Sequence, residues 1–115
     1  MSPPEAIRLR IPADATYLSV ARMFGGSVAE AFGLDPERAQ DLRLALSEIC
    51  AEAVEARGEV PASVGIDVSW DDAAVLFSCP RVPMAAAAPR WMLLQALVPD
   101  VRLDGAGAIA FSIER

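Results

Sequence analysis

One run decides most of what this chain can fold into. Between Pro36 and Gly58, in DPERAQDLRLALSEICAEAVEARG, no glycine or proline interrupts the sequence. Asp35 is a good N-cap, Pro36 suits the first helical position, Glu37 lies near the positive end of the helix dipole, and Gly58 supplies a C-terminal cap. The spacing predicts a single helix over 36–57, about 33 Å long at 1.5 Å per residue. Ala39, Leu42, Leu46, Ile49, Ala53 and Ala56 form its core-facing stripe, while Asp41, Glu48, Glu52 and Glu55 collect on the opposite side. A helix of that length spans a small domain, so the remaining elements must be arranged to cover its stripe.

Before it, EAIRLRIP (Glu5 to Pro12) alternates: Ile7, Leu9 and Ile11 point one way and Arg8 and Arg10 the other, as in a half-buried strand. A first helix follows, capped by Asp14 or Thr16, carrying Tyr17, Ala21, Phe24, Val28 and Ala31 at helical spacing and ending at Gly33. Gly25-Gly26 inside it costs about 1 kcal/mol per glycine. Close packing against a neighbour compensates that cost, or the helix kinks there. After the long helix, SVGIDVSW (Ser63 to Trp70) and AAVLFSC (Ala73 to Cys79) read as a hairpin across Asp71-Asp72. A Pro/Ala-rich connection, Pro80 to Pro89, leads to a short apolar helix over 90–98, stopped by Pro99. Strands over 101–103 and 108–113 close the chain around DGAG. The order β-α-α-β-β-α-β-β predicts a single α/β domain over 1–115. It is a two-layer sandwich with a mixed, largely antiparallel sheet and helices on one face.

Net charge is −6, with a pI near 4.5 and all ten basic residues arginine. That balance argues against nucleic acid or an anionic membrane as partner. Histidine is absent, which removes the commonest general base and metal ligand near neutral pH. Cys50 and Cys79 lack CxxC spacing and read as reduced, buried thiols, and no leader or long apolar run is present, so the expectation is a cytoplasmic protein.

The strand and first helix in IRLRIPADATYLSVAR, the segment GLDPERAQDLRLALSEICAEAVEA and the closing GAGAIAFSIER hairpin resemble the anti-sigma-factor and serine-protein-kinase group of the GHKL ATPase superfamily. The middle segment is similar to that group's A-x-S-E-x-x-x-N-A-x-x-H pattern. Ala45, Ser47, Glu48 and Ala53 match it; Glu52 stands at the asparagine and Ala56 at the histidine. The resemblance implies a base at the Glu48 position and a magnesium ligand at the Glu52 position. It also implies an Asp-x-Gly-x-Gly turn and a second glycine-rich turn that meet a nucleotide. Here those regions read FSCPRVPM and AAAAPRWMLL, and no glycine occurs from Ile66 to Asp104. Glycine permits positive φ and close backbone approach, and alanine and proline supply neither. The resemblance without its phosphate elements therefore points to a regulatory protein-interaction domain that is non-catalytic or binds nucleotide only weakly, with no cofactor expected. The alternative is an ATP-dependent serine/threonine kinase with Glu48 as base, Glu52 as metal ligand, and Arg81 and Arg90 near the nucleotide.

The row Asp41, Glu48, Glu52, Glu55 stays open between a solvated helix side, a face for a basic partner and a surviving metal site. Met84, Trp91 and Met92 either fill the former nucleotide pocket or form an exposed recognition patch. Arg81 and Arg90 either hold an anion, pair with nearby acids or face water. Candidate partner contacts are Asp41, Glu48, Glu52, Glu55, Met84, Trp91 and Met92. By the resemblance, the partner is a sigma factor or a STAS-type antagonist, and homodimerisation through the first strand and helix is a further expectation.

Overall fold

The structure is a computed structural model that describes residues 6–56, 63–82, 84, 88–103 and 107–115. The chain runs β1 (Ile7–Pro12), a 3-10 turn (Ala15–Tyr17), α1 (Leu18–Ala31), α2 (Pro36–Glu55), β2 (Ser63–Trp70), β3 (Ala74–Cys79), α3 (Pro89–Leu97), β4 (Arg102–Leu103) and β5 (Ile109–Glu114). This is the order read from the sequence. The strands form one sheet in the order β1-β2-β3-β5-β4, and every pairing among the described residues is antiparallel.

Alternation explains why all three helices share one sheet face. Along β2, Val64, Ile66 and Val68 are buried while their neighbours are half-exposed, and β3 and β5 repeat the pattern with Val75, Phe77, Cys79, Ile109, Phe111 and Ile113. These side chains join Ala21 and Val28 of α1, Leu42, Leu46 and Ile49 of α2, and Trp91 and Leu94 of α3 in one apolar cluster. Phe77 and Phe111 face each other across the β3–β5 ladder, their rings stacked with centroids 4.8 Å apart. The opposite sheet face carries Arg8, which meets Asp67 at 3.5 Å across the β1–β2 pair.

Local signals place the helices. Asp14 accepts from the Thr16 backbone N–H at 2.8 Å and starts the 3-10 turn ahead of α1, so α1 proper begins later than its apolar spacing suggested. Its end is a Schellman cap: Gly33 sits at φ +67°, with its N–H on the Glu30 carbonyl and the Leu34 N–H on the Ala29 carbonyl. Asp35 accepts from the Arg38 N–H at 2.9 Å, with Pro36 opening α2. α2 ends at Glu55. The cap expected at Gly58 and most of the DGAG turn lie outside the described residues.

α1 runs unbroken through Gly25-Gly26, so close packing and not a kink accounts for them. A Cβ on Gly25 would stand 3.3 Å from both the Arg43 Cα and the Leu46 Cδ1 of α2; one on Gly26 would meet the Arg43 Nε at 2.9 Å. This contact fixes α1 against one side of α2 and leaves the other side to α3.

Candidate functional site

α3 lies along the acidic side of α2, and Arg90, in its first turn, reaches into the glutamate row. The Arg90 Nε donates to Glu48 Oε2 at 2.8 Å. Its Nη1 donates to Glu52 Oε1 and to Glu55 Oε2, both at 2.8 Å, and its Nη2 donates to Glu55 Oε1 at 3.1 Å. One planar fork thus binds three carboxylates spaced four and three residues apart on a single helix face. Like charges at that spacing repel, and the guanidinium offsets the repulsion. The Arg90 and Glu52 side chains are each only 20% exposed, so the centre of the cluster is screened from water and Glu55, at 63%, forms its wet edge. Hydrogen bonds from Arg90, reinforced by its charge, hold the Glu55 carboxyl below the ordinary carboxylate range. The same contacts, Glu55 first, hold the guanidinium firmly cationic.

Ser47, between the stripe and the glutamates, is buried and accepts from the Arg22 Nη1 at 2.9 Å, which ties it to α1. Nothing in the sequence singled out Arg22, because its partner lies 25 residues away. Asp41 does not belong to the glutamate cluster: it lines a different groove with Arg38 and the end of α3. The acidic side read from the sequence is therefore two sites at different heights along α2.

After β3 the chain turns inward. Arg81 holds φ +60°, a left-handed conformation, at the place where the resemblance implies a glycine-rich turn. It is exposed and has no polar partner among the described residues. Val82 (2% exposed), Met84 (7%) and Trp91 (7%) join the core. Met84 and Trp91, which the sequence left between filling the pocket and forming a recognition patch, are buried as they lie: their apolar bulk gains more by joining the core than by meeting water. Met92 does offer surface, at 67% exposure, with Leu93 at 43% and Leu44, one turn before Glu48, at 39%. Leu93 lines the same depression as the three glutamates.

Glu48 and Glu52, which the resemblance assigns to base and magnesium ligand, are both engaged by Arg90 as they lie. The two thiols are also out of reach: Cys50 and Cys79 are free and buried, and burial pushes both upward, Cys50 to about 11. Among the described residues no group of three His, Cys, Asp or Glu is arranged to hold a metal ion, and no helix is long and apolar enough to cross a membrane.

With that geometry in view, a family model described as the histidine kinase-like ATPase domain matches residues 11–80. The chain belongs to that family. The matched stretch holds Glu48 and Glu52 and stops at the end of β3; Arg90 lies beyond it. Over 66 residues the chain is 33% identical to the serine-protein kinase RsbW of Bacillus velezensis, a match that takes in 52% of this chain and 41% of that relative. The chain thus spans less than half the length of that curated relative. Its fold is also that of a solved structure of RsbU and RsbW domains from Mycobacterium tuberculosis, with a TM-score of 0.71, 21% identity, and coverage of 98% of this chain and 32% of the other.

Proposed function

We propose that this domain is a regulatory protein-binding module of the anti-sigma kind that works without turning over Mg-ATP. The observation that carries the reading is Arg90. Its guanidinium takes up the two side chains, Glu48 and Glu52, that would serve as base and metal ligand in an active relative. The burial of Val82, Met84 and Trp91, with no glycine from Ile66 to Asp104 to admit phosphate, supports the same reading. What remains outside is a mixed surface: Leu44, Met92 and Leu93 beside a cluster of three carboxylates against one arginine. Such a surface suits a partner that brings apolar anchors flanked by basic residues. By the resemblance, the first partners to test are a sigma factor and a STAS-type antagonist encoded beside this gene.

The test is direct binding of such a purified partner with and without Mg-ATP. Binding in the absence of nucleotide, weakened by Met92→Asp and by Glu55→Arg, is expected. A strict requirement for Mg-ATP, or transfer of phosphate to the partner, would overturn the reading in favour of a serine kinase with Glu48 as base and Glu52 as metal ligand. The similarity to a named serine-protein kinase keeps that second reading in play.

A further inference from the structure

At the other end of the α2–α3 pair, a groove of about 420 Å³ opens between the first half of α2, the residues that end α3, and β5. None of Glu48, Glu52 and Glu55 lines it. Its apolar floor is Leu97, Val98 and Ile113, the last two 3% and 7% exposed. Most of its polar groups are already engaged. Asp100 accepts from the Ser112 backbone N–H at 3.1 Å and from the Ser112 hydroxyl, and Arg102 stands 3.7 Å away. The Arg38 Nε donates to Asp35 at 3.2 Å, and its Nη1 donates to the Glu114 carbonyl oxygen. Asp41 differs: it is half-buried and has no hydrogen-bond or ion-pair partner among the described residues.

A half-buried carboxylate beside an apolar floor loses part of its hydration and receives nothing in exchange, which makes it a counter-ion in waiting. Arg38 makes no hydrogen bond or ion pair to Asp41; its Nε donates to Asp35 and its Nη1 to the Glu114 carbonyl oxygen. Asp100 is answered by Arg102, so the lining carboxylates left without an ion-pair partner among the described residues are half-buried Asp41 and exposed Glu114, a balance that favours a cation. The size falls in the range of small-molecule sites, which are mostly apolar with a few placed polar groups, about 300–1,000 Å³.

We propose that this groove is a binding site for a small organic cation: a primary ammonium on an apolar stem, the ammonium on Asp41 and the stem against Leu97, Val98 and Ile113. The site is separate from the glutamate cluster and does not depend on how that cluster is used.

The test is a proton–nitrogen correlation NMR titration of the full chain with n-hexylamine, and with 1-hexanol as its uncharged counterpart. Saturable shifts at the amides of Arg38, Asp41, Leu97 and Ser112 are expected with the amine, and binding about tenfold weaker with the alcohol, the ratio one charge-assisted hydrogen bond confers. Asp41→Asn should erase the amine's advantage while leaving the alcohol's response unchanged, and Asp41→Glu should keep a preference for the amine. Equal response to amine and alcohol, shifts that stay linear to the limit of amine solubility, or an amine preference that survives Asp41→Asn would each overturn the assignment.

Discussion

Arg90 and Glu48 meet at 2.8 Å across the α2–α3 contact, and the same guanidinium holds Glu52 and Glu55. Removing it leaves three carboxylates on one helix face with no cation between them. Arg90→Ala should cost about 2 kcal/mol, the usual loss when a partly buried charged partner is deleted. Arg90→Lys should recover only part of that, because an ammonium cannot fork to three acceptors in one plane. Urea denaturation of the three proteins measures it; equal midpoints for wild type and Arg90→Ala would show the contact to be idle.

Acid should weaken the fold through identifiable groups. Glu55 is held low by the hydrogen bonds and charge of Arg90. Asp35 and Asp71 are held low chiefly by backbone N–H groups, of Arg38 and of Ala74. A depressed folded-state pKa adds stability that is fully present above the unfolded value and is lost as pH falls through the folded one. Urea midpoints should therefore hold above about pH 5 and decline through the carboxylate range, about pH 4 and below. Glu55→Gln should make that decline shallower. An identical slope in the variant would remove Glu55 from the account.

The two glycines of α1 should respond differently to alanine. At Gly25 the new Cβ would press on backbone, the Arg43 Cα at 3.3 Å, and on Leu46 of the core. At Gly26 it would meet only the mobile end of the Arg43 side chain. Gly25→Ala should destabilise by about 1–3 kcal/mol through overpacking, while Gly26→Ala should be near neutral or gain up to about 1 kcal/mol of helix propensity. Thermal denaturation separates them, and a gain at Gly25 equal to that at Gly26 would mean the helices can move apart freely.

Arg81 keeps a backbone conformation suited to glycine at φ +60°. An L-residue there costs roughly 1–2 kcal/mol, so Arg81→Gly should stabilise the fold, the gain trimmed by the greater freedom of glycine in the unfolded chain. A lower melting temperature in Arg81→Gly would mean that the arginine side chain contributes more than its backbone strain costs.

The sequence made some of this legible and hid the rest for physical reasons. The bounds of β2 and the start of α2 could be read because alternation and capping are local: Ser63–Trp70 and Asp35-Pro36 carry their signals within a few residues. The close contact at Gly25-Gly26 could be anticipated because two glycines in a helix need a packing reason. The Arg90 cluster could not be assembled, since its partners lie 35 to 42 residues away and only the placement of α3 brings them together. A helical projection discards height along the axis and so places Asp41 with the glutamates. Asp41 and Glu55 are separated by about 21 Å of helix, far enough to face different neighbours. Met84, in the Pro/Ala-rich connection, and Met92, in the helix after it, read alike as apolar candidates, but one is drawn into the core and the other faces water.

On the reading proposed above, Arg90, and not a metal-bound nucleotide, satisfies Glu48 and Glu52. Titration calorimetry of the purified chain with Mg-ATP tests it most directly. No saturable heat up to about millimolar nucleotide is the expected result; binding with an affinity of about 1 μM, near −8 kcal/mol, would contradict it.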